Sequence, residues 1–145
     1  DYITRLLNHL NYIGVLTLEL FVTSHGLLAN EMAPRVHNSG HWSIEGAVCS
    51  QFENHVRAVA GLPLGSTEVV RPTVMVNIIG QYPKTEDVLA LEGVHLHLYD
   101  KTEREGRKIG HITLMPNDST KLTTLCRQLA KILPNPLSLS EDMTI

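Results

Sequence analysis

The stretch from Glu19 to Gly40, E-L-F-V-T-S-H-G-L-L-A-N-E-M-A-P-R-V-H-N-S-G, constrains this chain more than any other. Leu18, Leu20 and Val22 alternate with Glu19, Phe21 and Thr23, and after Ser24-His25-Gly26 a second run extends from Leu27 to Met32. Two such runs around a short glycine-containing turn predict a β-hairpin. A three-residue loop with glycine last suits that turn, because the final position often needs the left-handed backbone that glycine adopts cheaply. Pairing Thr23 with Leu27 then sets Phe21 opposite Ala29, and Glu19 directly opposite Glu31.

Two carboxylates facing each other across a strand pair, with Cβ atoms roughly 5 Å apart, destabilise a sheet unless something compensates. A divalent cation reverses the sign of the interaction, and carboxylate oxygens are what Mg²⁺ prefers. Glu19 and Glu31 are therefore the expected metal ligands; the alternatives are a register shifted by one or two simply solvated side chains. Arg35, His37, Asn38 and Ser39 crowd donors beside the acids, and Pro34 stops the strand. Acids for a metal beside donors for anions point to a polyphosphate site. Arg35 and His37 lie two apart on an extended segment, so both can project into one cleft, and arginine's planar fork suits carboxylate, phosphate or bicarbonate. The plainer alternatives are an Arg35–Glu31 ion pair and a hydrogen-bonded, purely structural His37. Alternation puts Asn30 on the face opposite Glu31, which by itself reads as a structural amide.

At 145 residues and 43% hydrophobic, the chain can bury a core, in one domain or two small ones. The formal charge of -3 gives no global attraction to nucleic acid or to an anionic membrane. No apolar run approaches the roughly 18 residues that span a bilayer, and no signal peptide is visible. Cys49 and Cys126 stand far apart without a second pair, so no disulfide framework is expected, and a cytoplasmic location follows. Asp1 is not methionine, and Thr4 to Leu10 already reads as the last turns of a helix, so the expectation is a chain that begins inside a larger protein.

Beyond the hairpin, a helix is predicted from about Glu45 to Ala60, with Val48, Phe52, Val56 and Val59 as its core stripe and Gly61 and Pro63 closing it. Ser50 and Gln51 sit near enough to the polar loop to assist it. Leu62 to Pro72 reads as a linker, with a boundary near Glu68. Strands follow at Thr73–Ile79, Val94–Tyr99 and Lys108–Met115, with a short helix at Thr85–Leu91 and a charged loop from Asp100 to Arg107. Asn117-Asp118-Ser119 caps a last helix whose stripe is Leu122, Leu125, Leu129 and Ile132, ended by Pro134 and Pro136. Leu137 to Ile145 is read as a tail. The fold class is α+β, divided as residues 1–68, 69–136 and the tail at 137–145. His95, His97 and His111 lack a clear fourth ligand for zinc and are expected on the exposed face of a small sheet. Lys101, Arg104, Arg107 and Lys108 alone describe a solvated hairpin loop.

The run N-E-M-A-P-R-V-H-N-S-G-H-W, with the earlier L-E-L-F, closely resembles the 5-(carboxyamino)imidazole ribonucleotide synthetases, ATP-grasp ligases of bacterial and fungal purine biosynthesis. The similarity continues through S-Q-F-E-N-H-V-R-A, V-M-V-N-I-I-G, V-H-L-H-L-Y-D-K and G-R-K-I-G-H, and so covers nearly everything from Tyr12 to about Pro116. It implies the C-terminal portion of an ATP-grasp domain, a hairpin plus helix, followed by a small sheet-and-helix domain. It also implies an ATP- and Mg²⁺-dependent carboxylation of 5-aminoimidazole ribonucleotide by bicarbonate, through carboxyphosphate, with a fragment of this length inactive alone. On this resemblance Asn30 and Glu31 contact nucleotide, and Arg35 and His37 hold bicarbonate or carboxyphosphate, with Asn38 among the substrate contacts. Lys101 and Arg107 reach the ribonucleotide 5′-phosphate or the neighbouring anion. The partners implied are these small molecules, with a homodimer left open. The competing readings are another ATP-grasp ligase with a different ribonucleotide acceptor, and a non-catalytic interaction module.

Overall fold

The structure is a computed structural model and describes residues 2–135. It divides into two units, Asp1–Val69 and Val70–Ile145. Pro136 and the tail from Leu137 lie outside the described residues.

In the first unit, α1 (Tyr2–Leu10) precedes a hairpin of β1 (Thr17–Thr23) and β2 (Gly26–Ala33). Leu18, Leu20, Leu27 and Met32 share one hairpin face and line a groove of about 940 Å³ against Leu6 and His9 of α1. The hairpin loop differs from the expected three residues. Thr23 pairs with Gly26, which leaves only Ser24 and His25 between the strands. The cause is the Thr23 hydroxyl, which donates to the Gly26 carbonyl at 2.8 Å and accepts from the His25 N–H at 3.2 Å, closing a tighter turn. Gly26 takes φ +116, a backbone that side-chain-bearing residues rarely adopt.

After β2, Pro34 is held by the Tyr12 hydroxyl, which donates to its carbonyl at 2.8 Å. A 3-10 turn (Asn38–Gly40) leads to α2 (Ser43–Gly46), then to α3 (Gln51–Val59). The single long helix expected from Glu45 is broken, because Val48 and Cys49 bond instead to the carbonyls of Glu68 and Ser66. Ser50 restarts the helix by capping the Glu53 N–H at 3.1 Å. The expected core stripe is also corrected: Val48, Phe52, Val56 and Val59 are exposed, Val56 at 63%, and the buried residue of α3 is Asn54. Its amide accepts from the Gly65 N–H at 2.8 Å and donates to the Gly65 carbonyl at 3.2 Å. A two-way amide bond to a loop sets the rotation of this short helix, and apolar periodicity carries no trace of it.

The second unit is an antiparallel sheet of β3 (Val74–Ile79), β4 (Val94–Leu98) and β5 (Lys108–Leu114), with β5 central. Helices α4 (Thr85–Leu89) and α5 (Leu122–Ile132) complete it. Val76, Ile78, Ile112 and Leu114 alternate onto one face and meet Val88, Leu122, Leu125, Cys126 and Leu129. A bulge opposite Ile78 and Ile79 returns Ile109 to the same core. Asp118 accepts from the Thr120 N–H and hydroxyl, opening the turn before α5 as the cap reading expects. Both cysteines are buried free thiols.

Ile112 is fully buried and Val56 is not. Ile112→Ala is expected to lower unfolding free energy by about 2–5 kcal/mol, and Val56→Ala by less than about 0.5 kcal/mol. Urea denaturation of the 145-residue chain measures both, and equal losses would contradict the placement of α3.

Candidate functional site

Glu19 and Glu31 are register partners, but by a route the alternation did not foresee. From the two-residue turn inward the strands pair one step off the expected register, Leu20 opposite Ala29 and Phe21 opposite Leu28. A bulge between Glu19 and Leu20 inserts Asn30 as an extra residue and restores the acid pair. Two residues on the bulged strand then face one on the other. Asn30 accordingly leaves the face that strict alternation assigns it, and its Nδ2 donates to Glu19 Oε2 at 3.1 Å.

The other Glu19 oxygen faces His37, with Nε2 at 3.3 Å from Oε1. The Ser39 N–H donates to His37 Nδ1 at 3.3 Å, and the Ser39 hydroxyl lies 2.8 Å from the same nitrogen. A backbone amide can only donate, so Nδ1 is an acceptor and the ring proton sits on Nε2, aimed at the Glu19 carboxylate. His37 is only 8% exposed. Its backbone is clamped by one side chain: Gln51 Oε1 accepts the His37 N–H at 3.0 Å, and Gln51 Nε2 donates to the His37 carbonyl at 2.7 Å. The same Nε2 lies 2.7 Å from His41 Nδ1. Gly40 makes room for this brace, since a Cβ there would stand 2.6 Å from Gln51 Oε1.

Arg35 Nη2 lies 3.8 Å from Glu31 Oε1, both side chains being more than half exposed, and Arg35 Nη1 donates to the Val36 carbonyl at 3.0 Å. Each acid therefore has its own donors. Asn38 opens the 3-10 turn beside His37, and its carbonyl accepts the His41 N–H at 3.1 Å. Glu19, Asn30, Glu31, Arg35, His37 and Asn38 thus all belong to one locality of the first unit.

Lys101 and Arg107 belong to the second unit, on the loop between β4 and β5. Lys101 Nζ stands 5.2 Å from the centroid of the Tyr99 ring, and Arg107 Nη1 donates to the Thr102 carbonyl at 3.4 Å. The expectation that all three sheet histidines cover an exposed face needs correction. His95 is exposed, but His111 is 2% exposed and stacks on its register partner His97 with ring centroids 4.3 Å apart. Its Nδ1 lies 2.7 Å from the Tyr99 hydroxyl. A central strand buries its side chains between two flanking rows, which period-two counting does not register.

The ATP-grasp domain family matches residues 1–52, and the phosphoribosylaminoimidazole carboxylase C-terminal domain family matches residues 73–124. The N5-carboxyaminoimidazole ribonucleotide synthase of Pseudomonas aeruginosa is 57% identical over 122 residues, which cover 84% of this chain and 34% of that protein. The crystal structure of the synthetase from Thermus thermophilus superposes with a TM-score of 0.84 at 53% identity, covering 92% of this chain and 37% of that one. This chain belongs to the N5-carboxyaminoimidazole ribonucleotide synthase family. It spans about a third of the length of those relatives. A further family structure, from Aspergillus clavatus in complex with ADP and 5-aminoimidazole ribonucleotide, matches at 37% identity and a TM-score of 0.72, over 83% of this chain and 35% of that one.

Among the described residues of this chain, no group of three or more His, Cys, Asp or Glu side chains converges as a metal site. Two opposed carboxylates still suit Mg²⁺, which is held by one or two carboxylates together with phosphate oxygens and keeps several waters. Glu19 and Glu31 are 40% and 52% exposed, and each carboxylate oxygen has lone pairs beyond the contacts described, so the donor set fits a cation carried in on a polyphosphate. No helix among the described residues is long and apolar enough to cross a membrane. The sequence reading placed Gln51 beside the site but missed its grip on His37; the glycine three residues after His37 was the available signal. It gave no role to Tyr82 or Tyr99, although Tyr99 opens the Y-D-K run.

Gln51→Ala removes three hydrogen bonds and is expected to cost about 1–3 kcal/mol, with faster hydrogen exchange at the His37 amide as the local readout. Burial pushes the Tyr99 phenol above the usual tyrosine range. Because the folded-state value exceeds the unfolded one, this group's stabilisation is complete below about pH 10 and falls as pH rises through the folded value. An ultraviolet titration should show one late-ionising tyrosine, and Tyr99→Phe should remove it.

Proposed function

We propose that this chain supplies part of the active site of an ATP-dependent ligase that carboxylates 5-aminoimidazole ribonucleotide with bicarbonate, in de novo purine synthesis in the cytoplasm. The observation that carries the reading is the Glu19–Glu31 pair, brought face to face by the bulge at Asn30 and flanked by Arg35 and His37. The ADP and 5-aminoimidazole ribonucleotide bound to the Aspergillus relative support the choice of substrates.

In this reading a bicarbonate oxygen attacks the γ-phosphorus of ATP, the bond to the ADP oxygen breaks, and carboxyphosphate forms. The ribonucleotide amine then attacks the carboxyl carbon, phosphate leaves, and the amine gives up a proton. Mg²⁺, when bound, neutralises phosphate charge during phosphoryl transfer. Glu19 and Glu31 would hold it, with Asn30 orienting Glu19 and bordering the nucleotide phosphates. Arg35 offers a planar fork to bicarbonate or carboxyphosphate, and His37 and Asn38 border the same anion. Lys101 and Arg107 meet the 5′-phosphate or the adjoining anion. None of these groups is a covalent nucleophile, so positioning and fixed charge supply the rate enhancement.

Phosphate release from ATP by the full-length protein tests the proposal. Release should require both the ribonucleotide and bicarbonate, and Glu31→Gln should reduce it on the order of 100-fold. Release indifferent to the ribonucleotide would move the activity to another acceptor, and an unaffected Glu31→Gln would remove the acid pair from the site.

A further inference from the structure

The Lys101 side chain is exposed, yet both its backbone and its ammonium are held by aromatic residues. The Tyr82 hydroxyl donates to the Lys101 carbonyl at 2.8 Å and accepts the Lys101 N–H at 3.1 Å. Tyr82 is itself anchored, because its ring packs against the hydrophobic core and its N–H donates to Glu103 Oε1 at 2.7 Å. On the other side, the Lys101 ammonium stands over the Tyr99 ring at 5.2 Å, within reach of a cation–π attraction. Tyr99 is fixed in turn by its N–H bond to the Ile109 carbonyl at 2.9 Å and by its hydroxyl at 2.7 Å from the buried His111. Between Tyr99 and Lys101, Asp100 takes φ +51, a backbone uncommon for a residue with a side chain, and such positions persist where their surroundings over-determine them.

A lysine on a loop ordinarily samples many rotamers and loses them when it binds an anion. Here its peptide group and its charge are both placed in advance, while a contact to a ring face leaves the ammonium with further N–H donors to offer an anion. We propose that Tyr82 and Tyr99 are positioning residues that hold Lys101 ready for a phosphate-bearing ligand. The proposal rests on the reading above, in which Lys101 meets the ribonucleotide phosphate. Tyr82 sets where the Lys101 backbone lies, and Tyr99 sets where its charge points.

The test is steady-state kinetics of the full-length protein, as a double-mutant cycle with 5-aminoimidazole ribonucleotide varied at saturating ATP and bicarbonate. Lys101→Met should raise KM for the ribonucleotide by about tenfold or more, the equivalent of about 1.4 kcal/mol, with KM for ATP unchanged. Tyr99→Leu should raise the same KM several-fold, whereas Tyr99→Phe, which keeps the ring, should stay near the parent. In the Lys101→Met background Tyr99→Leu should add nothing, because the residue it positions is gone. Tyr82→Phe removes a single oxygen and should show the same dependence on Lys101, which covers the case in which Tyr99→Leu fails to fold. Effects of Tyr99→Leu and Tyr82→Phe that persist in full without Lys101 would overturn the positioning role while leaving the role of Lys101 intact. An unchanged KM in Lys101→Met would overturn both.

Discussion

The first unit depends on one extra residue in a strand. Without the bulge at Asn30, the two-residue turn would leave Glu19 opposite Asn30, with Glu31 on the other face of the hairpin. With it, two acids meet, and an amide arrives with them to share the Glu19 carboxylate. Like charges opposed across a sheet are unfavourable, and the fold answers them one at a time: Asn30 and His37 at Glu19, Arg35 at Glu31. Because both acids remain substantially exposed, this compensation leaves them accessible to a cation and to phosphate.

The polar loop after the hairpin is organised by side chains that bind backbone. Tyr12 holds the Pro34 carbonyl, Gln51 holds both peptide groups of His37, and Ser39 fixes the tautomer of the His37 ring. The second unit repeats the device with a tyrosine hydroxyl that spans the N–H and carbonyl of Lys101. In both places a group on an irregular segment is tied to a helix or to a packed core, so it inherits the rigidity of the element behind it. The loops bearing His37 and Lys101 are thus held still by the parts of the fold behind them.

Local pattern was a good guide wherever apolar packing decides the outcome. Leu122, Leu125 and Leu129 were placed correctly because one helix face meets one sheet face, and the strands of the second unit followed from their apolar runs. Pattern failed wherever a polar side chain decides. Val56 and Val59 have helical spacing, yet Asn54 turns α3 toward Gly65 and leaves them exposed. The facing of Glu19 and Glu31 was anticipated through two errors that cancel, a loop one residue too long and a bulge not foreseen. His111 was read as a surface residue because period two assigns a face without saying how deeply the neighbouring strands cover it.

Sequence by itself determined the family, the order of elements and the identity of the charged residues, because these rest on residue type and spacing along the chain. It placed both acids on the hairpin, whereas their meeting rests on a turn and a bulge that the alternation does not show. Tertiary structure decided which donor serves which acid, that His37 turns its ring proton toward Glu19, that Gln51 grips the His37 peptide groups, and that two tyrosines flank Lys101. Asn30–Glu19, Gln51–His37, His37–Glu19 and Tyr82–Lys101 join residues 11 to 19 positions apart, and the direction of the His37 ring proton depends on its tautomer. Hydrogen bonding is directional and short-ranged, so such contacts exist only once the backbone has been placed to within a fraction of an ångström.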